Sequence, residues 1–323
     1  MIMTFEAVYC VAELLAFIMD FLALPTIISL SFTTKLNYVR VQGHLRSKMA
    51  KCLAPFGLLL DDTLQHLIFT DGLIIGFIAL EAVAPFVWSI ATDSLDIVVE
   101  GLHFNLITNW FKSHGYELNE ATPTIPNPLL FGTCHSFLRQ FPNREMVINL
   151  FTVKTKYQEI EFVFHSSNTA GMNMITGEGL FVPYRSLLDL ELAVRNDSTR
   201  MGSTDRSTII PTNELQKLTQ IDKNNNLKAS SNGFTLITPN LHFPTNICYC
   251  TPLSTCSLKP RISTDKECSI IRLLQGDEYK AIQSNQKILI SIPKVPLVNW
   301  KLTDGEGGSG GYVFDTRRLT EKF

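Results

Sequence analysis

Apolar residues at Val11, Leu14, Leu15, Ile18, Phe21 and Leu22 recur at three- and four-residue steps and predict a helix over Tyr9–Leu22. Glu6, Glu13 and Asp20 stand seven residues apart and give that helix one wet face, and Pro25 ends the run. A second helix is predicted over Thr26–Tyr38. A third, over Val39–Leu53, is basic, with Arg40, His44, Arg46, Lys48 and Lys51. Helices this short need mutual packing or a partner to persist. From 56 to 192 the pattern alternates between apolar strand runs (73–76, 94–99, 146–153, 158–164) and helical spacing (61–70, 77–84, 102–114, 168–176), the signature of a layered helix-and-sheet domain. Pro123, Pro126 and Pro128 mark a loop within it. Residues 196–232 turn polar and read as a linker or mobile insertion. Strand patterns return at Phe234–Ile237, Lys287–Ile292 and Val298–Leu302, and Gly305–Gly311 reads as a flexible hinge in the tail. No internal repeat runs through the chain.

Composition sharpens this picture in three ways. Charged residues make up only 18% of the chain against 45% hydrophobic, so the cores are large or some apolar surface awaits a partner. The formal net charge of −2 gives no overall case for nucleic-acid binding, and the basic third helix fits an acidic protein partner or a solvated face better. The start MIMTFEAVYC lacks a basic leader, and the seven scattered cysteines suit free thiols, so a cytoplasmic or nuclear location is expected. Two apolar stretches, Phe5–Phe32 and Gly72–Ala91, are interrupted by acids, glycine or proline and are expected to be buried core elements rather than membrane spans.

Chemistry-bearing residues are sparse. Asp96 could hold a metal, or could be an ordinary strand-end carboxylate. Glu159 and Glu161 alternate on the strand predicted over 158–164, facing one side together. His165 beside Ser166 makes a poor nucleophilic pair, because neighbours on a strand point apart. Ser166, Ser167 or Asn168 is instead expected to cap the helix that follows. Cys248, Cys250, Cys256 and Cys268, with His242 nearby, lack the paired knuckle spacing of structural zinc sites and are expected to be free thiols in a small β region. The glycine-rich tail lacks the Gly-Lys-Ser/Thr of a phosphate-binding loop.

The N-terminal unit, AELLAFIMDFLALPTIISLSFTTKLNYVRVQGHLRSKM, resembles an F-box through Glu13, Leu14, Leu15, Ile18, Phe21, Leu22, Ile27, Leu30 and Lys35. It lacks the usual leading Leu-Pro, having Val11-Ala12 there, and the acidic residue after the turn. Residues beyond it resemble a group of proteins from mushroom-forming fungi that join such a unit to a nucleotidyltransferase-like fold. The matching residues are Gly76, Asp93-Ser94-Leu95-Asp96, Ile148-Asn149-Leu150, Phe164-His165-Ser166-Ser167, Met172-Asn173 and Gly179-Leu180-Phe181-Val182-Pro183-Tyr184. The resemblance spans roughly 8–190, more loosely 240–302, and carries over no activity.

Nucleotidyl transfer needs a Gly-Ser turn for the triphosphate and three carboxylates on adjacent strands for two metal ions. Here the serine place is Phe77 and the third acidic place is Asn149. Asp93 stands one residue out of register, which on a strand turns it to the opposite face from Asp96. A site reduced to Asp96 would neutralise divalent cations poorly.

The resulting expectation is an α+β or α/β protein. Residues 1–55 form a helical F-box-like unit. Residues 56–195 form a nucleotidyltransferase-like mixed sheet with flanking helices and a vestigial site at Gly76, Phe77, Asp93, Asp96 and Asn149. Residues 196–232 form the polar linker, 233–303 a strand-rich cysteine-containing extension packing on the sheet domain, and 304–323 a flexible tail. The expected function is non-catalytic interaction. The F-box resemblance implies docking to the Skp-type adaptor of a ubiquitin ligase through Leu14, Leu15, Ile18, Phe21 and Leu22, with a further protein partner on the sheet domain. No cofactor, nucleic acid or membrane is expected. Two alternatives stay open. One is a metal-dependent nucleotidyltransferase using magnesium or manganese, with Asp93, Glu159 or Glu161 as substituted acids. The other is a nucleotide or small-ligand sensor with Phe77 in the phosphate position.

Overall fold

The computed structural model describes residues 12–83, 94–119, 131–142, 144–154, 158–164, 166, 168–184, 192–194, 235–237, 261–262, 269–272 and 299–300. Three helices open it: α1 (Ala12–Phe21), α2 (Leu24–Ser31) and α3 (Lys35–Leu53). The second helix stops seven residues earlier than the spacing predicts, and the third starts four earlier. The cause is local. The hydroxyls of Ser31 and Thr33 donate back to the carbonyls of Ile28 and Leu30, at 2.6 and 2.7 Å. Thr34 then caps α3 by accepting from the Asn37 amide at 3.1 Å. Hydroxyl side chains that satisfy backbone groups in this way close one helix and start another.

After a short 3₁₀ turn at Ala54–Phe56 come α4 (Leu60–Thr70), β1 (Leu73–Ile75) and α5 (Gly76–Val83). β2 (Ser94–Glu100), α6 (Phe104–Ser113), β3 (Glu117–Leu118), β4 (Phe131–Phe141) and β5 (Arg144–Val153) follow. Then α7 (Gln158–Phe164) leads through a 3₁₀ turn at Thr169–Met172 into the hairpin β6 (Met174–Thr176) and β7 (Gly179–Val182). Short strands complete the described chain: β8 (Leu192–Val194), β9 (Thr235–Ile237), β10 (Arg261–Ile262), β11 (Ser269–Arg272) and β12 (Asn299–Trp300).

Eight of the described strands form one mixed sheet in the order β11-β7-β6-β1-β2-β5-β4-β3. Its single parallel pairing is β2 with β5. β8 pairs parallel with β9, and β10 antiparallel with β12. The architecture is α+β.

Three expectations are corrected. Residues 158–164, read as a strand, are the helix α7: Ile160, Val163 and Phe164 are buried at i, i+3 and i+4, a helical stripe. Glu159 and Glu161 therefore do not alternate along a strand. Residues 168–176, read as a helix, form one 3₁₀ turn and then strand β6. Gly177 and Glu178 close the hairpin, with Thr176 Oγ1 accepting from the amides of both Glu178 and Gly179. β4 lies where the hydrophobic pattern predicts no strand. Its register shifts between Phe131 and Cys134, so its apolar positions do not alternate cleanly.

One hydrophobic core runs through the described residues. Leu15, Val41, Leu45 and Met49 of the helical unit share it with Ile74, Ile78, Ile97, Ile148 and Leu150 of the sheet domain. The Tyr116 hydroxyl donates to the Phe56 carbonyl at 2.8 Å, tying the end of the helical unit to the turn between α6 and β3. On β2 and β5, Leu95, Ile97, Val99, Ile148 and Leu150 point into this core, so the residues between them face the other way.

Candidate functional site

Asp96 and Asn149 are those intervening residues, and the parallel β2–β5 register sets them directly opposite one another. Asn149 Nδ2 donates to Asp96 Oδ1 at 2.8 Å. On the next strand Ser136 pairs with Asn149, and its hydroxyl donates to Asn149 Oδ1 at 3.0 Å. The result is a directed row across three strands, Ser136 to Asn149 to Asp96, ending on a carboxylate. Each group donates to the next, so the orientation of the Asn149 amide follows from its two neighbours.

The fourth element is the β1–α5 turn. Ile75 lies opposite Asp96 on the other side of β2. Gly76 follows with φ 72°, a conformation side chains rarely adopt, and a Cβ there would stand 3.3 Å from Asp96 Oδ2. The glycine thus lets the start of α5 close onto the carboxylate. Phe77, one residue on, is half-buried and packs against the core. Phe151, two residues beyond Asn149 and on the same face, meets Phe162 of α7 with ring centroids 4.9 Å apart.

Gly76, Asp96 and Asn149 therefore stand together, with Phe77 next to Gly76 in sequence and turned into the core, while Asp93 lies outside the described residues. Ser136 was not anticipated, because nothing in the sequence marked β4 as a strand. Glu159 is buried on α7; the Glu161 side chain, His165 and Ser167 lie outside the described residues. Ser166 donates to the Gly171 carbonyl at 3.1 Å, and Asn168 caps the 3₁₀ turn through the Gly171 amide. The capping role read from the sequence thus falls to Asn168, on a shorter turn than expected. Cys248, Cys250, Cys256, Cys268 and His242 lie outside the described residues. Among the described residues no three or more His, Cys, Asp or Glu side chains are grouped so as to hold a metal ion. No helix among them is long and apolar enough to cross a membrane.

The five residues expected on a docking face divide. Leu15 is in the core, 3% exposed, and so cannot meet a partner without unpacking. Leu14 and Leu22 are half-buried. Ile18 and Phe21 are exposed, and Phe17, which the pattern did not single out, is more so at 60%, its ring packed edge-on against Phe21 with centroids 5.0 Å apart. The outward strip of α1 is thus Phe17, Ile18 and Phe21.

Ionisable groups cluster where α1, α3 and α5 meet. His44 is buried with Nε2 3.8 Å from an Asp20 oxygen. Burial holds its imidazole below the ordinary value, opposed by Asp20 and reinforced by Lys48 and Lys51. Burial likewise lowers Lys48 and raises Glu81. It pushes the Cys52 thiol up to about 12, with the Glu81 charge adding to the effect. A second cluster joins α4 to α6: Trp110 Nε1 donates to Asp62 Oδ2 at 2.7 Å, and His66 and His114 flank the same carboxylate at 3.4 and 3.6 Å.

No protein-family model matches the chain, and no curated protein matches it either.

Proposed function

We propose that the chain is a non-catalytic interaction protein, its helical unit serving as an F-box-type docking element and its sheet as a nucleotidyltransferase-like domain without the chemistry. The observation that carries this reading is the 2.8 Å bond from the Asn149 amide to Asp96. Two-metal chemistry needs a second carboxylate in that position, and an amide presents a donor to Asp96 where a cation would have to sit. The bulky Phe77 beside Gly76 supports the same reading, since a triphosphate cradle needs small or hydroxyl-bearing residues there. Support for docking comes from the exposed strip Phe17, Ile18 and Phe21 on α1, the helix that carries most of the F-box resemblance.

Calorimetric titration with magnesium or manganese, alone and with each nucleoside triphosphate, tests the catalytic half of the reading. The expected result is no metal-dependent heat. Metal-dependent binding that disappears in Asp96→Ala would overturn it and restore the enzyme. A direct binding measurement with a purified Skp-type adaptor, comparing the native chain with Phe17→Ser/Phe21→Ser, tests the docking half. Loss of binding in the variant is expected, and equal binding by both would remove α1 from the interface.

A further inference from the structure

The β4–β5 hairpin carries two arginines on one face where its strands meet. Its register sets Phe141 opposite Arg144 and Arg139 opposite Met146. Paired residues of a ladder share a face, so Arg139, Phe141 and Arg144 stand together on the core side, the reverse of the face that bears Ser136, Asn149 and Asp96. Arg139 and Arg144 are diagonal neighbours, about 7–8 Å apart at the backbone and within reach of one group held between their long side chains.

The Arg139 guanidinium is fitted closely into its place. Its centre lies 4.5 Å from the centroid of the Phe141 ring and 5.9 Å from that of Tyr116. Two glycines with positive φ make room for it: Gly57 (φ 67°), after the 3₁₀ turn that ends the helical unit, and Gly115 (φ 76°), in the turn after α6. A Cβ on Gly57 would fall 2.7 Å from Arg139 Nη1, and one on Gly115 would fall 3.6 Å from Arg139 Nε. Separate stretches of chain thus shape themselves around one cation. Yet neither Arg139 nor Arg144 has a hydrogen bond or ion pair among the described residues, whereas Arg46 is held by Asp61. The acids of the same ladder turn away. Glu145 lies opposite Gln140 and Glu117 opposite Leu138, both on the other face, and Gln140 donates to Glu145. Burial raises the Tyr116 hydroxyl, and Arg139 and Arg144 both pull it back down, which puts both guanidinia within electrostatic reach of that phenol. Two like charges on one face, each with a full set of N–H donors and no acceptor, repel unless an anion joins them.

We propose that Arg139 and Arg144 form an oxyanion site for a phosphate group, taken either as the free ion or as a monoester. A guanidinium fork meets two phosphate oxygens at once, and two cations match a phosphate dianion better than they match a single carboxylate. Arg139, half-buried against Phe141 and Tyr116, supplies the fixed fork. Arg144, exposed at the start of β5, supplies the second charge. The site depends neither on docking through α1 nor on the row that ends at Asp96.

The test titrates the full chain with inorganic phosphate, glycerol 3-phosphate and acetate at constant ionic strength, following the arginine Nε–H signals in proton–nitrogen NMR spectra. Saturable shifts of the Arg139 and Arg144 signals with phosphate are expected. Arg144→Gln changes an exposed position and should leave the melting temperature as it is while weakening phosphate binding about tenfold or more, the loss of one charge-assisted contact. Arg139→Lys keeps the charge but loses the fork and should weaken binding several-fold. If Arg139→Lys fails to fold, Arg144→Gln decides alone. Tighter binding of the ester assigns the site to a phosphorylated small molecule, and equal binding assigns it to the free ion. The proposal is overturned by the absence of a saturable shift, by equal affinity in the native chain and Arg144→Gln, or by acetate binding as tightly as phosphate.

Discussion

Replacing Asn149 by Asp restores the acidic residue that a metal site would need and, in the absence of metal, sets two carboxylates face to face. In the native chain the amide nitrogen is 2.8 Å from Asp96 Oδ1. A hydrogen bond to a charged acceptor contributes about 1.5–3 kcal/mol, and Asn149→Ala should cost about that much. Asn149→Asp loses the same bond and adds repulsion. Two unit charges about 3 Å apart at an effective dielectric near 20 repel by roughly 5 kcal/mol, which half-exposure and side-chain rotation reduce to about a third to a half of that. The Asp variant should therefore be less stable than the Ala variant by about 2 kcal/mol at neutral pH in chemical denaturation. A pair of facing carboxylates holds a shared proton more tightly when folded than when unfolded. The added cost should thus be full well above the carboxylate range and fade as pH falls into it. Millimolar manganese should narrow the gap for Asn149→Asp and leave Asn149→Ala unchanged. If the two variants are equally stable without metal, or both respond to manganese alike, the side chains at 96 and 149 do not face one another and the reasoning about the site fails.

Three further outcomes are expected. Gly177→Ala should lower stability by about 2–3 kcal/mol through overpacking, because its Cβ would fall 2.4 Å from Ile68 Cγ1, 2.6 Å from the Ile68 amide nitrogen and 2.8 Å from the Leu64 carbonyl oxygen, forcing α4 away from the β6–β7 turn; a thermal melt reads this directly. Asp62→Ala should cost about 1–3 kcal/mol by leaving the mostly buried Trp110 indole without its acceptor, accompanied by a shift in tryptophan emission, with Asp62→Asn milder because an acceptor remains. Burial lowers His44 below its ordinary 6.5, so the unfolded chain takes up that proton first. The His44 contribution is present above pH 6.5 and is lost as pH falls through it, so denaturation midpoints for His44→Gln should decline less over that window than those of the native chain.

The parts of the fold that can be read from residues alone are those with one dominant period. Leu73–Ile75, Ser94–Glu100 and Arg144–Val153 are nearly continuous apolar runs bounded by turn residues, and the polar places within them, Asp96 and Asn149, stand out for that reason. Gln158–Phe164 satisfies two periods at once: Glu159-Ile160-Glu161-Phe162 alternates like a strand, while Ile160, Val163 and Phe164 form a helical stripe. The core, which takes the latter three, decides between them. β4 is hidden by its bulge and by Thr133, Cys134, His135 and Ser136, none of which marks an inward or outward position. Ser136 enters the site only through pairing with Asn149, a non-local fact. On α1, period alone cannot separate Leu15, which the core takes, from Phe17, which it leaves outside. That choice depends on where α3 lies.

The shared core has a consequence for how such a chain could be cut or recombined. Leu15, Val41, Leu45 and Met49 pack with Ile74, Ile97 and Ile148, and Tyr116 reaches back to Phe56. A truncation beginning at residue 56 would strip an apolar roof from the sheet, and a fragment ending at residue 55 would carry the matching bare surface. Neither piece would inherit a finished interior, so the helical head is not a cassette that could be grafted onto another body. A force applied to α1 or α3 would act on the same core that holds the strand bearing Asp96.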